Sequence, residues 1–174
     1  VVVVGNHSPG VRALVEARLG KDAVAVQDPP LGTGHAVLAA REALAGFEGD
    51  LLVLNGDCPL LQPKDLEPLF GLRADGVALA MLAFEPVDPL LYGRVLRGAD
   101  GHVIRIVEPK DATPEQLAVR ICNAGMMAAD AGRMFDWLSK VTNDNAKGEY
   151  YLTDIVRIAV ADGGLVRASI APES

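Results

Sequence analysis

Four β-branched residues in succession, VVVV at positions 1–4, run into Gly5, and a helix-length segment follows at once. An unbroken valine run fits a strand covered on both faces better than one with a wet side. After it, Val11, Leu14, Val15 and Leu19 fall at helical spacing until Gly20 stops the pattern. The order then repeats. A short strand at 23–27 (AVAVQ) leads through DPPLGTG into a helix of strong formers at 35–46 (HAVLAAREALAG). Further strands are expected at 51–54 (LLVL) and 76–84 (GVALAMLAF). Strands alternating with helices imply parallel βαβ units in one doubly wound α/β domain with a mostly parallel sheet.

The second half changes character. Residues 93–108 (GRVLRGADGHVIRIVE) form two alternating runs around Asp100-Gly101, which predicts an antiparallel hairpin insertion. Thr113, Pro114 and Gln116 have the spacing of a capped helix start. A strand is expected at 121–129 (ICNAGMMAA), with amphipathic helices in MFDWLSKV and YLTDIVRIAV. No repeat, low-complexity tract or linker divides the chain.

The 174 residues are one domain's worth, half of them hydrophobic, and this excludes a disordered chain. No apolar run approaches the roughly 18 residues of a membrane span, so no membrane partner is expected. A formal net charge of −7 argues against a general nucleic-acid binder but leaves room for a nucleotide held by a few local donors. Cys58 and Cys122 stand far apart without a framework spacing, which points to a reducing, cytoplasmic setting.

Several residues could carry chemistry. The Leu31-Gly32-Thr33-Gly34 turn lets backbone N–H groups approach a ligand at a helix start, or it is a plain turn. Asn55-Gly56-Asp57 ends a buried strand at its carboxyl edge, where open α/β sheets form ligand crevices. Asp57 there is either a Mg²⁺ ligand completed by substrate phosphates or the cap of the next turn. Glu108 either pairs with Lys110 in solvent or accepts hydrogen bonds from a sugar hydroxyl or amide. Asn123, inside an apolar strand, needs partners that a ligand could supply. The three histidines have no metal spacing, and no Ser/His/Asp or Cys/His set presents itself.

Taken in order, QDPPLGTGHA, LNGDCPLL, YGR, IVEPKDAT, CNAG and NDNAKGEYYLTDI resemble the bacterial N-acetylglucosamine-1-phosphate uridylyltransferases, usually joined to a glucosamine-1-phosphate acetyltransferase domain. The resemblance implies a Rossmann-like sheet of the nucleotide-diphospho-sugar transferase type. It also implies uridylyl transfer from UTP to N-acetylglucosamine 1-phosphate, giving UDP-N-acetylglucosamine and pyrophosphate for cell-envelope precursors. Gln27, Gly32 and Thr33 match uracil-binding positions, and Asn55 and Gly56 lie on the sugar-nucleotide path. Asp57 matches the Mg²⁺-binding aspartate. Gly93, Glu108 and Asn123 match residues contacting the N-acetylglucosamine moiety. The resemblance further implies that residues 1–174 are a partial nucleotidyltransferase domain, without an N-terminal strand and Gly-rich loop and a C-terminal segment with a second metal ligand. That piece is expected to be inactive alone, the full-length protein forming a homotrimer through its acetyltransferase domain. The chain departs from the family at Asp28-Pro29-Pro30, at Asn55 where Tyr is common, and at Leu90-Leu91 where Thr-Gly is usual. The alternatives are a nucleotidyltransferase for another sugar phosphate or a molybdopterin-type acceptor, and a non-catalytic sugar-nucleotide-binding module.

Overall fold

A computed structural model describes residues 1–89 and 91–171. Eight strands and six helices follow one another as β1 (Val2–Gly5), α1 (Pro9–Leu19), β2 (Val24–Gln27), α2 (Thr33–Ala39), β3 (Asp50–Val53), α3 (Pro63–Ala74) and β4 (Leu79–Phe84). Then come β5 (Arg94–Arg97), β6 (Val103–Val107), α4 (Pro114–Leu117), β7 (Cys122–Asp130), α5 (Ala131–Leu138), α6 (Asp154–Ala161) and β8 (Val166–Ile170). β1 and β2 pair in parallel as a two-stranded sheet, and the other six strands form a second sheet in the order β6-β5-β7-β4-β8, with β3 also on β7. The α/β class and the hairpin insertion stand as expected.

Alternation along the central strands explains why those sequences are apolar at every position. Leu79, Met81 and Ala83 of β4, with Met127 and Ala129 of β7, pack against Met134, Trp137, Leu138, Ile155 and Ile158 on one face. Ala80 and Leu82, with Met126 and Ala128, pack against Leu69 of α3 on the other. A strand covered on both sides has no solvent face to mark with polar residues. Helices α5 and α6 supply one layer and α3 the other, so the sheet is doubly wound.

Strand direction was less legible than strand position. β4 and β8 run parallel, but β7 is antiparallel to β3, β4 and β5. Its nine residues are long enough to pair with all three. Against β4 the register jumps: Met81 faces Met127 and Ala83 faces Asn123, so residues 124–126 bulge from the ladder. Gly125, at φ 84°, makes that bulge possible.

Three local expectations are corrected. The valine run at 1–4, expected to be covered on both faces, is buried only at Val4, because β1 pairs with β2 alone. The helix read at 35–46 begins earlier, at Thr33, and ends at Ala39; Ala40 and Arg41 then donate to carbonyls three residues back, in tighter turns. Helix α3 was not anticipated. Its start is a capping box between Gln62 and Asp65, with Pro63 in the first turn, and Pro68 inside it hides the helical pattern.

Met127 touches both the sheet and the α5–α6 layer and is fully buried. Met127→Ala should therefore cost about 2–5 kcal/mol, read as a lower urea midpoint at unchanged slope.

Candidate active site

The carboxyl ends of β2, β3 and β4, the start of β7 and the end of β6 lie along one edge of the fold, and the expected site residues sit there. At the β2 end, the Gln27 Nε2 donates to the Gly32 carbonyl at 2.9 Å and lies 3.1 Å from His35 Nδ1. The amide thus closes the loop at 28–32 onto the start of α2. Gly32 has φ 121°, and a Cβ placed there would lie 2.6 Å from the Tyr150 carbonyl oxygen. That close approach is a two-bond clasp. The Tyr150 N–H donates to the Leu31 carbonyl, and the Gly34 N–H donates to the Tyr150 carbonyl, both at 2.8 Å. Thr33 Oγ1 accepts the Leu152 N–H at 2.9 Å.

The clasp carries the same segment on to Glu108. Thr153, one of two buried polar or charged residues among those described, donates its hydroxyl to Glu108 Oε1 at 3.3 Å. The carboxylate also crowds Gly93, where an added Cβ would stand 3.1 Å from Oε1. Gly93 accepts the Asn123 N–H on its carbonyl at 2.8 Å. The Asn123 Oδ1 in turn accepts the Gly125 N–H at 3.0 Å across the bulge. Asn55 packs directly against Gly125. Gln27, Gly32, Thr33, Glu108, Gly93, Asn123 and Asn55 therefore form one continuous rim, linked through Tyr150, Thr153 and Gly125. Gly56 and Asp57 extend it on the loop after β3, both exposed.

Within the rim, burial raises the Glu108 pKa above its ordinary 4.5, opposed by the Thr153 hydroxyl and the Lys147 charge. No ion pair joins Glu108 to Lys110 among the described residues, so the solvated-pair reading falls away. Glu108, Tyr151 and Thr153 also line a cavity of about 280 Å³ between β6 and the start of α6. Sequence reading missed Thr153 and the Tyr150 clasp. Both lie in the GEYYLTDI segment, which the sequence marked as a family motif and a helix start but not as a contact to the turn at 31–34 or to Glu108.

Asp57 is open to solvent, and its Oδ1 accepts the Cys58 thiol at 3.7 Å. Partial burial first, then the Asp57 carboxylate, push the Cys58 thiol above its usual range. No group of three or more His, Cys, Asp or Glu side chains among the described residues converges on one point. A free, single carboxylate fits a Mg²⁺ ion otherwise coordinated by substrate phosphates and water, and does not fit an all-protein metal cage. Leu91 is 89% exposed, so its bulk does not fill the space beside Gly93. Leu90 lies outside the described residues.

This architecture is that of the nucleotide-sugar pyrophosphorylases. A UDP-glucose pyrophosphorylase crystallised with UDP-glucose superposes with a TM-score of 0.70 at 19% identity, over 97% of this chain and 70% of that one. A nucleoside-diphosphate-sugar pyrophosphorylase from Vibrio cholerae gives 0.67 at 15% identity, over 97% and 71%. The chain belongs to the MobA-like NTP transferase domain family, whose profile matches residues 1–104. It is 56% identical over 168 residues to the bifunctional protein GlmU of Hyphomonas neptunium, covering 97% of this chain and 34% of that protein. With the Caulobacter vibrioides GlmU it is 51% identical over 175 residues, covering all of this chain and 38% of that one. The chain thus spans little more than a third of the curated relatives it matches.

Two expectations follow from the rim's geometry. Gly32→Ala sets a Cβ against the Tyr150 backbone at a φ that alanine rarely adopts, and should destabilise by about 1–3 kcal/mol. The second concerns pH. Because folding raises the Glu108 pKa, the folded state favours its protonated form, so this group's contribution to stability is full below 4.5 and is lost as pH rises through the folded value. Glu108→Gln should flatten that decline in urea unfolding across acidic to neutral pH. Asp154, also raised by burial, leaves a residual slope. An unchanged slope in the variant contradicts the assignment.

Proposed function

We propose that the rim of this chain binds UTP and N-acetylglucosamine 1-phosphate and, within the complete polypeptide but not alone, supports uridylyl transfer between them. The observation that carries this reading is the convergence on one corner of Gly93, just before β5, Glu108, just after β6, and Asn123 of β7. That corner lies on the same edge as the Gln27–Gly32–Thr33 turn. A uracil base would be read by backbone and side-chain groups at the turn. The sugar would approach the corner beside Gly93, whose missing side chain lets the Glu108 carboxylate and Ile106 close in on the backbone. Glu108 would accept its hydroxyl hydrogens, and the Asn123 amide would donate to its carbonyl or hydroxyl oxygens. The similarity to the GlmU proteins supports this acceptor, and the MobA-like profile supports nucleotidyl transfer without choosing between acceptors.

In the proposed reaction, a phosphate oxygen of the sugar phosphate attacks the α-phosphorus of UTP. The bond to the β,γ-diphosphate breaks, and pyrophosphate leaves with the electron pair. The nucleophile is already anionic, so no general base is needed, and this agrees with the lack of a base–nucleophile set in the sequence. What the chain's residues supply is alignment, and exclusion of water by the clasp. Asp57 would hold Mg²⁺, which when bound neutralises phosphate charge. We place the reaction in the cytoplasm, in cell-envelope precursor synthesis for peptidoglycan and lipopolysaccharide. The trimeric assembly expected through an acetyltransferase domain belongs to the same proposal. Among the described residues no helix is long and apolar enough to cross a membrane.

Steady-state kinetics of the complete polypeptide carrying these residues test the proposal. Asp57→Ala should lower kcat/KM by about a hundredfold or more, since several kcal/mol of charge stabilisation depend on it. Near-normal turnover sinks the metal role. Asn123→Ala removes hydrogen bonds of about 1–3 kcal/mol and should raise KM for the sugar phosphate roughly tenfold while leaving KM for UTP nearly unchanged. The opposite preference removes Asn123 from the sugar side.

A further inference from the structure

Among the described residues Arg94 is the largest side chain less than 2% exposed. A guanidinium cannot shed its charge, so its burial is costly unless carboxylates or other acceptors surround it. None of the ion pairs among the described residues includes Arg94. Its partners are two main-chain carbonyls, with the Cys122 thiol alongside. Nε donates to the Leu117 carbonyl at 3.3 Å, and Nη1 donates to the Tyr92 carbonyl.

Those two carbonyls belong to different pieces of the fold. Leu117 ends α4, and Tyr92 ends the loop that follows β4, its ring edge-on to Phe84 with centroids 4.8 Å apart. Arg94 itself opens β5 directly opposite Cys122, the first residue of β7. The rungs on either side are the Asn123 N–H on the Gly93 carbonyl and the Val95 N–H on the Ile121 carbonyl, at 2.8 and 2.9 Å. A single planar fork thus joins α4 and the β4–β5 loop at the rung that carries Gly93 and Asn123. An apolar side chain would fill the same space without the desolvation cost, so packing alone does not account for an arginine here.

We propose that Arg94 is a positioning residue, a buried cation that holds Gly93 and Asn123 in register for the sugar of the substrate. It touches neither substrate nor metal. It acts by fixing the β5–β7 rung through Tyr92 and Leu117, and it rests on the reading of that corner as the sugar site. Lysine cannot replace it, because one ammonium on a flexible stem lacks the rigid fork that spans two divergent carbonyls.

The test is equilibrium titration of the complete polypeptide with UDP-N-acetylglucosamine and, separately, with UTP, in wild type, Arg94→Lys and Arg94→Met. Positioning predicts that Arg94→Lys weakens UDP-N-acetylglucosamine about tenfold and UTP by less than about twofold. Arg94→Met, which leaves both carbonyls without a donor, should shift the same ratio further; where it fails to fold, Arg94→Lys decides. Equal losses for both ligands, or no loss for either, would overturn the role. A wild type that binds UTP but not UDP-N-acetylglucosamine sinks the sugar-site reading itself, which separates that failure from a failure of Arg94.

Discussion

β7 is the strand on which the candidate site hangs. It runs antiparallel to β3, β4 and β5 and is bonded to each. Where it leaves register with β4, the bulge at residues 124–126 turns Asn123 back onto the Gly125 N–H and opens a seat for Asn55. A regular ladder there would have given Asn123 no local partner and left Asn55 no seat at Gly125. The irregularity is therefore what allows a polar amide to sit at the edge of an apolar strand, and bulges beside functional sites commonly re-aim side chains in this way.

A second constraint is the clasp between the turn at 31–34 and the segment at 150–152. It spans more than a hundred residues of sequence, yet two backbone bonds and one from the Leu152 N–H to the Thr33 hydroxyl hold it. Through Thr153 it fixes the Glu108 carboxylate, so the proposed base-binding and sugar-binding ends are parts of one hydrogen-bonded frame. Rigid spacing between two ligand halves matters for a reaction that depends on alignment, because the entropy of bringing reactants together is met before the chemistry begins.

Much of this was readable from residues alone, and the boundary of legibility is physical. The carboxyl-edge position of Asp57 followed from an apolar run meeting Asn-Gly-Asp, although β3 is only half-buried and not sealed as expected, and the hairpin followed from alternation around Asp100-Gly101. The direction of β7 did not, since an apolar strand buried on both faces looks alike in either sense. Helix α3 escaped notice because Pro68 interrupts it. The Thr153–Glu108 bond joins residues 45 apart, and no local pattern announces it. Arg94 read as one of a motif's letters, and only the structure revealed it as a buried cation held by main-chain carbonyls.

The central claim is that one continuous rim, from Gln27 to Asn123, holds a uridine sugar nucleotide. Amide chemical-shift mapping with UDP-N-acetylglucosamine addresses it most directly. The account predicts that Gly32, Thr33, Gly93, Glu108, Asn123 and Gly125 shift together with one saturation curve. Shifts confined to the turn at 31–34, or centred on a different face of the sheet, would contradict it.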